Sequence, residues 1–308
     1  MGGLRFCTLG HRGVVFVGGA DRATFLQGLV SNDTSRVSPT HAEYAALLTP
    51  QGRFQHDMFM VELAGAEAIL LEVERDRAGD LARRLGLFKL RSKVTVDNRS
   101  ESYDVLAAFG TGAAAALGLA GERGSAAQLD GAVALLDPRL AELGVRLIAP
   151  RGSGAPLLAS RGFAAASEDD YEALRLALGV PDGSRDLPVD KAFLLESGFD
   201  ELNGVDWKKG CYMGQELTAR TKYRGLVRKR LLPVEVEGPM PPPGTPVLLD
   251  DKEAGEMRSG RAGRGLALLR LELVTDAETR GVPLAAGTAK LKPHVPAWMK
   301  LPEPEPPA

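Results

Sequence analysis

The first hundred residues alternate between short apolar runs and amphipathic segments. The run Val14–Val17 predicts a strand, and Asp21 is a candidate N-cap for the helix that follows it. The other elements predicted here are strands at 44–48, 54–61, 68–73 and 94–96 and a helix at 78–85 that stops at Gly86. Short strands and helices in alternation, with hairpin links, favour α+β sheets over a doubly wound parallel sheet.

The remaining two thirds of the chain change from helical to short-stranded character. Residues 135–138 and 145–149 are candidate strands of a returning sheet. The acidic start at Ser167–Asp170 predicts a capping box and a helix that ends at Gly179. Beyond Arg230, short apolar runs separated by polar turns predict a small barrel or sandwich. The Pro- and Glu-rich tail at 301–308 is expected to be disordered.

Length and composition add three constraints. A chain of 308 residues is too long for one ordinary core, so two or three domains are expected. No segment approaches about 18 uninterrupted apolar residues, so no membrane partner is expected. Two cysteines, Cys7 and Cys211, provide no disulfide framework, which favours a reducing, cytosol-like compartment.

The net charge of −2 conceals a strongly basic segment. From Lys208 to Arg230 there are eight basic residues and one acid, Glu216, which makes this segment a candidate anion site. The negative total charge, and only two tyrosines for stacking within the segment, argue against nucleic acid as a partner.

The run Lys-Gly-Cys-Tyr-Met-Gly-Gln-Glu at 209–216 carries the clearest candidate chemistry. Cys211 closely follows a pair of lysines, and nearby cations favour the reactive thiolate. Gly210 and Gly214 permit backbone conformations or close approaches that a side chain would prevent. Cys211 is therefore predicted to be functional, and the alternative is a buried, inert thiol.

Other familiar chemistries lack their motifs. There is no GxGxxG after a strand and no Walker loop, so nucleotide binding by those means is not predicted. The four histidines show no metal-ligand spacing, and there is no CxxC for zinc. Cys211 alone cannot hold an iron–sulfur cluster, because such clusters need about four protein ligands. A catalytic pair of Cys211 and His56 stays open, although no spacing links the two.

The run at 209–216 closely resembles the signature of the YgfZ family of folate-binding proteins. These are relatives of the glycine-cleavage aminomethyltransferase that act in iron–sulfur protein maturation, and the stretch 179–230 resembles their mitochondrial branch. The segments that carry the resemblance are Gly19–Asp33, Leu48–Arg53, Leu194–Gly198 and Gly214–Arg220.

The resemblance implies that Glu196 accepts hydrogen bonds from the pterin ring of tetrahydrofolate or a related reduced folate. A carboxylate suits this role because it accepts at two oxygens in charge-assisted bonds. An exposed loop glutamate is the alternative. The implied cofactor-binding set is Glu196, Lys209, Gln215, Arg220, Arg228 and Arg230, with Lys222 offering further charge for the anionic glutamate tail. Because Arg220, Lys222 and Arg224 alternate as on one face of a strand, a solvated strand edge is an equal alternative for these three.

Asp57 matches the position of the aminomethyltransferase's catalytic aspartate. The resemblance therefore implies Asp57 and Cys211 as the candidate catalytic residues. His56 stands where the transferase has the first of two adjacent aspartates, which weakens the case for amine-transfer chemistry.

The resemblance also implies an architecture, an aminomethyltransferase-like three-lobed folate-binding fold with a C-terminal β-barrel. The expected parts are a folate-binding module of two lobes at 1–228 and a barrel at 229–300. The first lobe is expected to be discontinuous, at about 1–45 and 150–228, with the second at about 46–149. Cys211 would lie near the mouth of the folate cavity.

The expected function is a tetrahydrofolate-binding factor that assists the assembly or repair of iron–sulfur clusters. The implied partner is an A-type iron–sulfur carrier protein, with which Cys211 would share a cluster. A folate-dependent one-carbon transferase that uses Asp57 is the alternative, and an RNA-binding protein is a weaker third. The expected location is the bacterial cytoplasm or an equivalent reducing compartment, with a link to tRNA modification.

Overall fold

The computed structural model describes residues 3–223, 225 and 227–301. Within this part of the chain, two open β-sheets and one closed barrel are flanked by short helices. The first sheet is antiparallel, with the spatial order β3 (Glu43–Leu48), β4 (Phe54–Leu63), β5 (Ala68–Glu74), β2 (Arg12–Gly18) and β6 (Thr95–Asn98). These strands lie where the apolar runs of the sequence predict them.

The second sheet combines the first strand of the chain with strands from the middle. Its order is β11 (Ala164–Ala165), β1 (Arg5–Thr8), β7 (Tyr103–Phe109), β10 (Val145–Pro150), β9 (Ala132–Leu136) and β8 (Ala126–Leu129). Neither sheet divides the chain at 45 or at 150, because the first draws on residues 12–98 and the second on 5–8 and 103–165. The proposed lobe boundaries stay a prediction.

The C-terminal strands close into a barrel, as the sequence predicts. Its order is β12 (Lys229–Glu237), β15 (Arg264–Arg270), β14 (Lys252–Arg261), β13 (Pro246–Leu249), β16 (Leu284–Ala286) and β17 (Ala289–Pro293). The α+β class with a C-terminal barrel is therefore confirmed. The tail prediction falls outside the described residues apart from Leu301.

Eight α-helices lie within the described residues. They are α1 (Arg22–Gln27), α2 (Ala78–Phe88), α3 (Ala113–Ala116), α4 (Gly154–Ser160), α5 (Glu168–Leu178), α6 (Gly183–Asp186), α7 (Gln215–Tyr223) and α8 (Leu271–Arg280). No helix among these residues is long and apolar enough to cross a membrane.

Helix ends agree with the sequence in one place and differ in two. Ser167 and Asp170 form the predicted capping box of α5. Asp21 precedes α1, but its carboxylate accepts from the backbone N–H of Lys93 instead of capping the helix. Helix α2 continues through Gly86 for two further residues, since one glycine costs a helix only about 1 kcal/mol.

The two faces of β4 carry different chemistry because side chains alternate along a strand. His56 and Met58 face the side covered by α1 and α2, where Met58 packs in the core. Asp57 and Phe59 face the other side, where an aromatic cluster contains Tyr44. This alternation places Asp57, and not His56, towards the segment 187–205.

A buried ion pair between two helices is hydrogen-bonded to a serine of the barrel. The guanidinium of Arg175 in α5 donates to Asp186 at 2.7 Å and to the hydroxyl of Ser259 in β14 at 2.8 Å. The other carboxylate oxygen of Asp186 accepts from the backbone N–H of Ser259 at 3.0 Å. All three residues are buried, so the barrel is joined to the rest of the chain by polar as well as apolar contacts.

Candidate functional site

The loop at 206–214, called the thiol loop, is held from beneath by a buried lysine. The ammonium of Lys209 donates to the carbonyl oxygens of Gln27 at 2.8 Å, Val30 at 2.5 Å and Asn32 at 2.7 Å. The Gln27 carbonyl is at the C-terminal end of α1 and the other two follow it, a position where a cation is favourable. An ammonium has three donors, and all three are engaged.

This placement changes the role predicted for Lys209. Burial lowers its pKa from 10.5 to about 8, although Asp33 and Asp206 act in the opposite direction. Since carbonyl groups occupy its three donors, Lys209 has none left for a folate. The ammonium instead fixes the thiol loop to α1.

The C-terminal half of the thiol loop is fixed by packing. Tyr212 is buried in the aromatic cluster, and the backbone N–H of Met213 donates to Gly28 at 3.3 Å. Gly214 has a φ of +82°, and a Cβ there would lie 2.5 Å from the carbonyl oxygen of Thr49. The predicted need for glycine therefore holds at Gly214.

Cys211 lies between these two anchored halves and is exposed. A Cβ added at the preceding Gly210 would meet nothing within 4 Å, so the chain around the thiol is open. Cys7, in contrast, is buried in β1, and that burial raises the pKa of its thiol to about 11. The two cysteines thus differ sharply in accessibility.

Glu196 lies in a single turn of 3₁₀ helix, Leu195–Ser197, and its carboxylate is half-buried. Burial raises its pKa, while Lys229, Arg53 and Arg258 act to lower it. No hydrogen bond from any described residue contributes to this balance. The carboxylate is therefore partly desolvated, surrounded by cations, and has its acceptor positions available.

These three cationic neighbours of Glu196 were not predicted from the sequence. Arg53 stacks on the ring of Phe193 at 3.7 Å, Lys229 begins β12, and Arg258 lies in β14. Arg53 lies within a segment that carries the family resemblance, so it could have been considered. Arg258 belongs to the barrel, and no local pattern connects it to Glu196.

Asp57 is fully within the protein interior. The hydroxyl of Tyr44 donates to its Oδ2 at 3.0 Å. Burial raises the pKa of Asp57, Arg12 lowers it, and Asp182 raises it further. Because Arg12 also pairs with Asp182 at 3.2 Å and with Glu72, Asp57 belongs to a buried charge network.

The Asp57 and Glu196 regions are connected through the aromatic cluster. The ring of Tyr44 lies 5.0 Å from that of Phe199, which follows the Glu196 turn by two residues. The same turn packs against α7 and β12. The fold therefore brings together the Glu196 turn, the helix that follows the thiol loop, and the first barrel strand.

His56 does not take part in this arrangement. Its Nε2 lies 3.1 Å from a carboxylate oxygen of Asp80 in α2, and burial lowers its pKa to about 4. A catalytic pair with Cys211 has no support, because the imidazole is buried and bonded to Asp80.

The part of the basic segment that contains Arg220 and Lys222 forms a helix, so the alternative of a solvated strand edge does not hold for these two residues. Arg220 and Lys222 both lie in α7, where Arg220 is exposed and Lys222 pairs with Asp200 at 2.8 Å. Arg224 lies outside the described residues. Cations two positions apart fit a strand face, but exposed helical residues tolerate the same spacing, so the alternation was misleading.

The other predicted folate ligands divide into engaged and exposed residues. The side chain of Gln215 accepts from the N–H of Tyr212 at 3.2 Å and so closes the thiol loop. Arg230 is buried and pairs with Glu201 at 2.8 Å. Arg228 is exposed just before β12. Of the predicted set, Glu196, Arg220 and Arg228 therefore have side chains without a polar bond to a described residue.

Comparisons with known proteins find close relatives over most of the chain. Residues 228–301 match the family model of the CAF17 C-terminal beta-barrel domain. The chain is 37% identical to the mitochondrial iron-sulfur cluster assembly factor IBA57 of Mus musculus, over 86% of this chain and 77% of that protein. The Homo sapiens protein of that name is 36% identical with the same coverage. The mitochondrial IBA57 homolog of Neurospora crassa is 30% identical over 95% of this chain and 80% of that protein.

Among solved structures, the fold is similar to the glycine cleavage system aminomethyltransferase T from Bartonella henselae. The TM-score is 0.75, and the match covers 97% of this chain and 87% of that chain at 15% identity. At this identity the likeness concerns the fold alone. It confirms the aminomethyltransferase-like architecture that the sequence predicts.

The names of the relatives correct the predicted setting of the protein. All three are called mitochondrial and are named for iron–sulfur cluster assembly, so the predictions of a cytoplasmic location and of tRNA modification are wrong. The physical reason is that a pair of cysteines without a disulfide framework indicates a reducing environment, and many compartments provide one.

Proposed function

The chain belongs to the family of the iron–sulfur cluster assembly factor IBA57, and from that premise we propose that it binds a reduced folate and uses Cys211 as a functional thiol. The observation that carries the proposal is the placement of two available groups. The Glu196 carboxylate has no hydrogen bond from a described residue, and Cys211 is exposed on an anchored loop. The helix that follows this loop packs against the Glu196 turn.

Glu196 suits the pterin ring of tetrahydrofolate. The ring presents N–H donors, and a half-buried carboxylate without protein donors gains most from accepting them. Arg220 and Arg228 are exposed and could pair with the anionic glutamate tail of the folate. The pterin end of the folate would thus bind at Glu196, and its glutamate tail at Arg220 and Arg228.

Cys211 suits a role at the surface in cluster assembly. A single thiolate supplies one ligand, so a shared cluster requires a partner that provides the others. We propose an A-type iron–sulfur carrier as that partner. The thiol loop favours such a role because Lys209 and Gly214 fix the chain on either side of the cysteine while leaving it accessible.

Calorimetry with tetrahydrofolate tests the Glu196 assignment. Glu196→Gln places an amide donor against a pterin donor and should weaken binding by about 1.5–3 kcal/mol, as for a hydrogen bond to a charged group. Glu216→Gln is the matched control, since Glu216 is exposed in α7, and it should bind as the wild type does. Equal affinities of the Glu196 variant and the wild type would exclude this assignment.

Reaction with an alkylating probe, followed by cluster assembly, tests the thiol. At neutral pH Cys211 should react faster than Cys7, whose burial disfavours the thiolate. Mixing the protein with an A-type carrier, iron and sulfide should give a heteromeric complex with visible cluster absorption. Cys211→Ser should abolish the cluster and retain folate binding, while Cys7→Ser should retain both. An identical cluster in the Cys211 variant would show that this residue is not a ligand.

A folate-dependent one-carbon transferase is a second candidate, favoured by Asp57. Its burial and raised pKa are features shared with catalytic carboxyl groups, although buried structural networks produce them too. Turnover of an aminomethyl donor with tetrahydrofolate, lost in Asp57→Asn, would support this candidate. A wild-type protein that binds folate without turnover would leave the assembly role as the better account.

A further inference from the structure

Helix α2 ends in a protruding tip, defined here as residues 86–91. All six residues are exposed. Among them, Leu87 is 66%, Phe88 42% and Leu90 90% accessible to solvent. Single exposed apolar residues are ordinary, but a contiguous group indicates an interaction surface.

The backbone of the tip is strained at its most exposed residue. Leu90 has a φ of +42°, in the left-handed region that a helix end normally assigns to glycine. A leucine there is disfavoured by contact of its Cβ with the backbone. Its side chain is almost wholly in solvent, so little packing within the described chain offsets the strain.

The tip and the residues on either side of it carry a net positive charge. Residues 81–96 contain five basic side chains and no acid. Arg83 and Arg84 pair with Asp80. The remaining three, Lys89, Arg91 and Lys93, are exposed, and none forms an ion pair with a described residue.

We propose that the α2 tip binds the surface of an anionic membrane. Its leucines and Phe88 would enter the boundary between head groups and acyl chains, and the three unpaired cations would lie against anionic head groups. Both contributions are typical of peripheral attachment, which requires no membrane-spanning helix.

Two other occupants fit the observations less well. A second copy of the chain, paired about a two-fold axis, would place the same cations against each other. A stable protein partner usually covers about 800 Å² on each side, and six residues at a projecting tip supply only part of such an area. A bilayer surface needs neither a matching groove nor a large flat patch.

Sedimentation with vesicles tests the proposal on the intact protein. Vesicles of equal parts phosphatidylcholine and phosphatidylglycerol should bind the protein at low salt and release it as salt is raised, because added salt screens the head-group charge. Vesicles of phosphatidylcholine alone should bind it weakly. Equal binding to the two compositions, or no binding at low salt, would overturn the proposal.

Two sets of variants assign the binding to the tip. Lys89→Gln with Arg91→Gln should weaken vesicle binding about fivefold for each cation, which corresponds to about 1 kcal/mol per charge near an anionic surface. The matched control is Arg264→Gln with Lys292→Gln on the barrel, which removes the same charge from exposed positions. Equal loss in both pairs would show that net charge, and not the tip, determines binding.

The variant Leu90→Gly distinguishes a loss of membrane binding from a loss of folding stability. It should weaken vesicle binding while leaving the thermal midpoint unchanged or higher, since glycine accepts the left-handed backbone. Undiminished vesicle binding by this variant would overturn the proposal. So would self-association of the wild type that Leu90→Gly abolishes, because a second copy would then occupy the tip.

Discussion

The thiol loop and the α2 tip both present an exposed side chain at a turn, but they are supported differently. The loop that carries Cys211 is fixed by the buried ammonium of Lys209 and by the close packing of Gly214 against Thr49. Leu90 has no comparable support from the residues that the structure describes, and its backbone is strained. Exposure alone therefore does not distinguish a precisely held group from one that depends on an external partner; the contacts beneath it do.

The largest expected effect concerns the two glycines that flank Cys211. Gly214→Ala should lower the free energy of unfolding by about 3 kcal/mol, because it combines a left-handed backbone with a Cβ 2.5 Å from a carbonyl oxygen. Gly210→Ala should change it by less than about 0.5 kcal/mol, because a Cβ there meets nothing within 4 Å. Chemical denaturation measures both, and similar losses would refute the claim that support is concentrated at Gly214.

Removal of the lysine should have the next largest effect. Lys209→Met leaves three carbonyl oxygens without their donor, and we expect a loss of about 2 kcal/mol at neutral pH. The alkylation rate of Cys211 should change with it, because the loop loses its attachment to α1. Lys208→Met, at an exposed neighbouring position, is the control and should leave stability nearly unchanged.

The stability difference between the wild type and Lys209→Met should change with pH in a definite direction. Because the pKa of Lys209 is lowered to about 8 in the folded state, the unfolded chain binds more protons between pH 8 and 10.5. The lysine's contribution to stability should therefore increase with pH across that window, by at most about 1.4 kcal/mol per pH unit. The stability difference between wild type and Lys209→Met should widen accordingly. A constant difference would show that the ammonium is not desolvated.

The smallest change in the free energy of unfolding is expected for substitutions at the α2 tip. Leu90→Gly should raise the free energy of unfolding by about 0.5–1 kcal/mol, since relief of backbone strain exceeds the entropy that glycine adds to the unfolded chain. Gly86→Ala should give a similar gain for the opposite reason, because Gly86 lies within a helix and has open space around it. A destabilised Leu90→Gly would mean that the leucine makes contacts that its exposure does not suggest.

Local patterns predicted the elements well. The strands at 44–48 and 54–61 and the capping box of α5 depend on neighbouring residues, so the sequence shows them directly. The alternating cations at 220 and 222 suggested a strand edge as one alternative, but α7 forms there. The spacing of charged residues at solvent-facing positions carries little information about backbone conformation.

The candidate site was predicted in part. Cys211 was expected to be accessible and is exposed, whereas the function of Glu196 stays a prediction. Lys209 was assigned to the folate through the family resemblance, and its carbonyl acceptors could not be foreseen because they lie 177 to 182 positions earlier in the chain. Arg258 near Glu196 was missed for the same reason. Contacts between distant segments are set by topology, and no local pattern encodes them.

The buried pair of Arg175 and Asp186 limits how the molecule can open. Enzymes and binding proteins often admit ligands by rotation of one domain about a hinge. Rotation of the barrel here would withdraw Ser259 from both charged groups, and each hydrogen bond to a charged group contributes about 1.5–3 kcal/mol. The barrel and the helices should therefore move as one rigid body. A ligand would then reach the Glu196 turn through movement of side chains and loops, on a faster timescale than domain rotation.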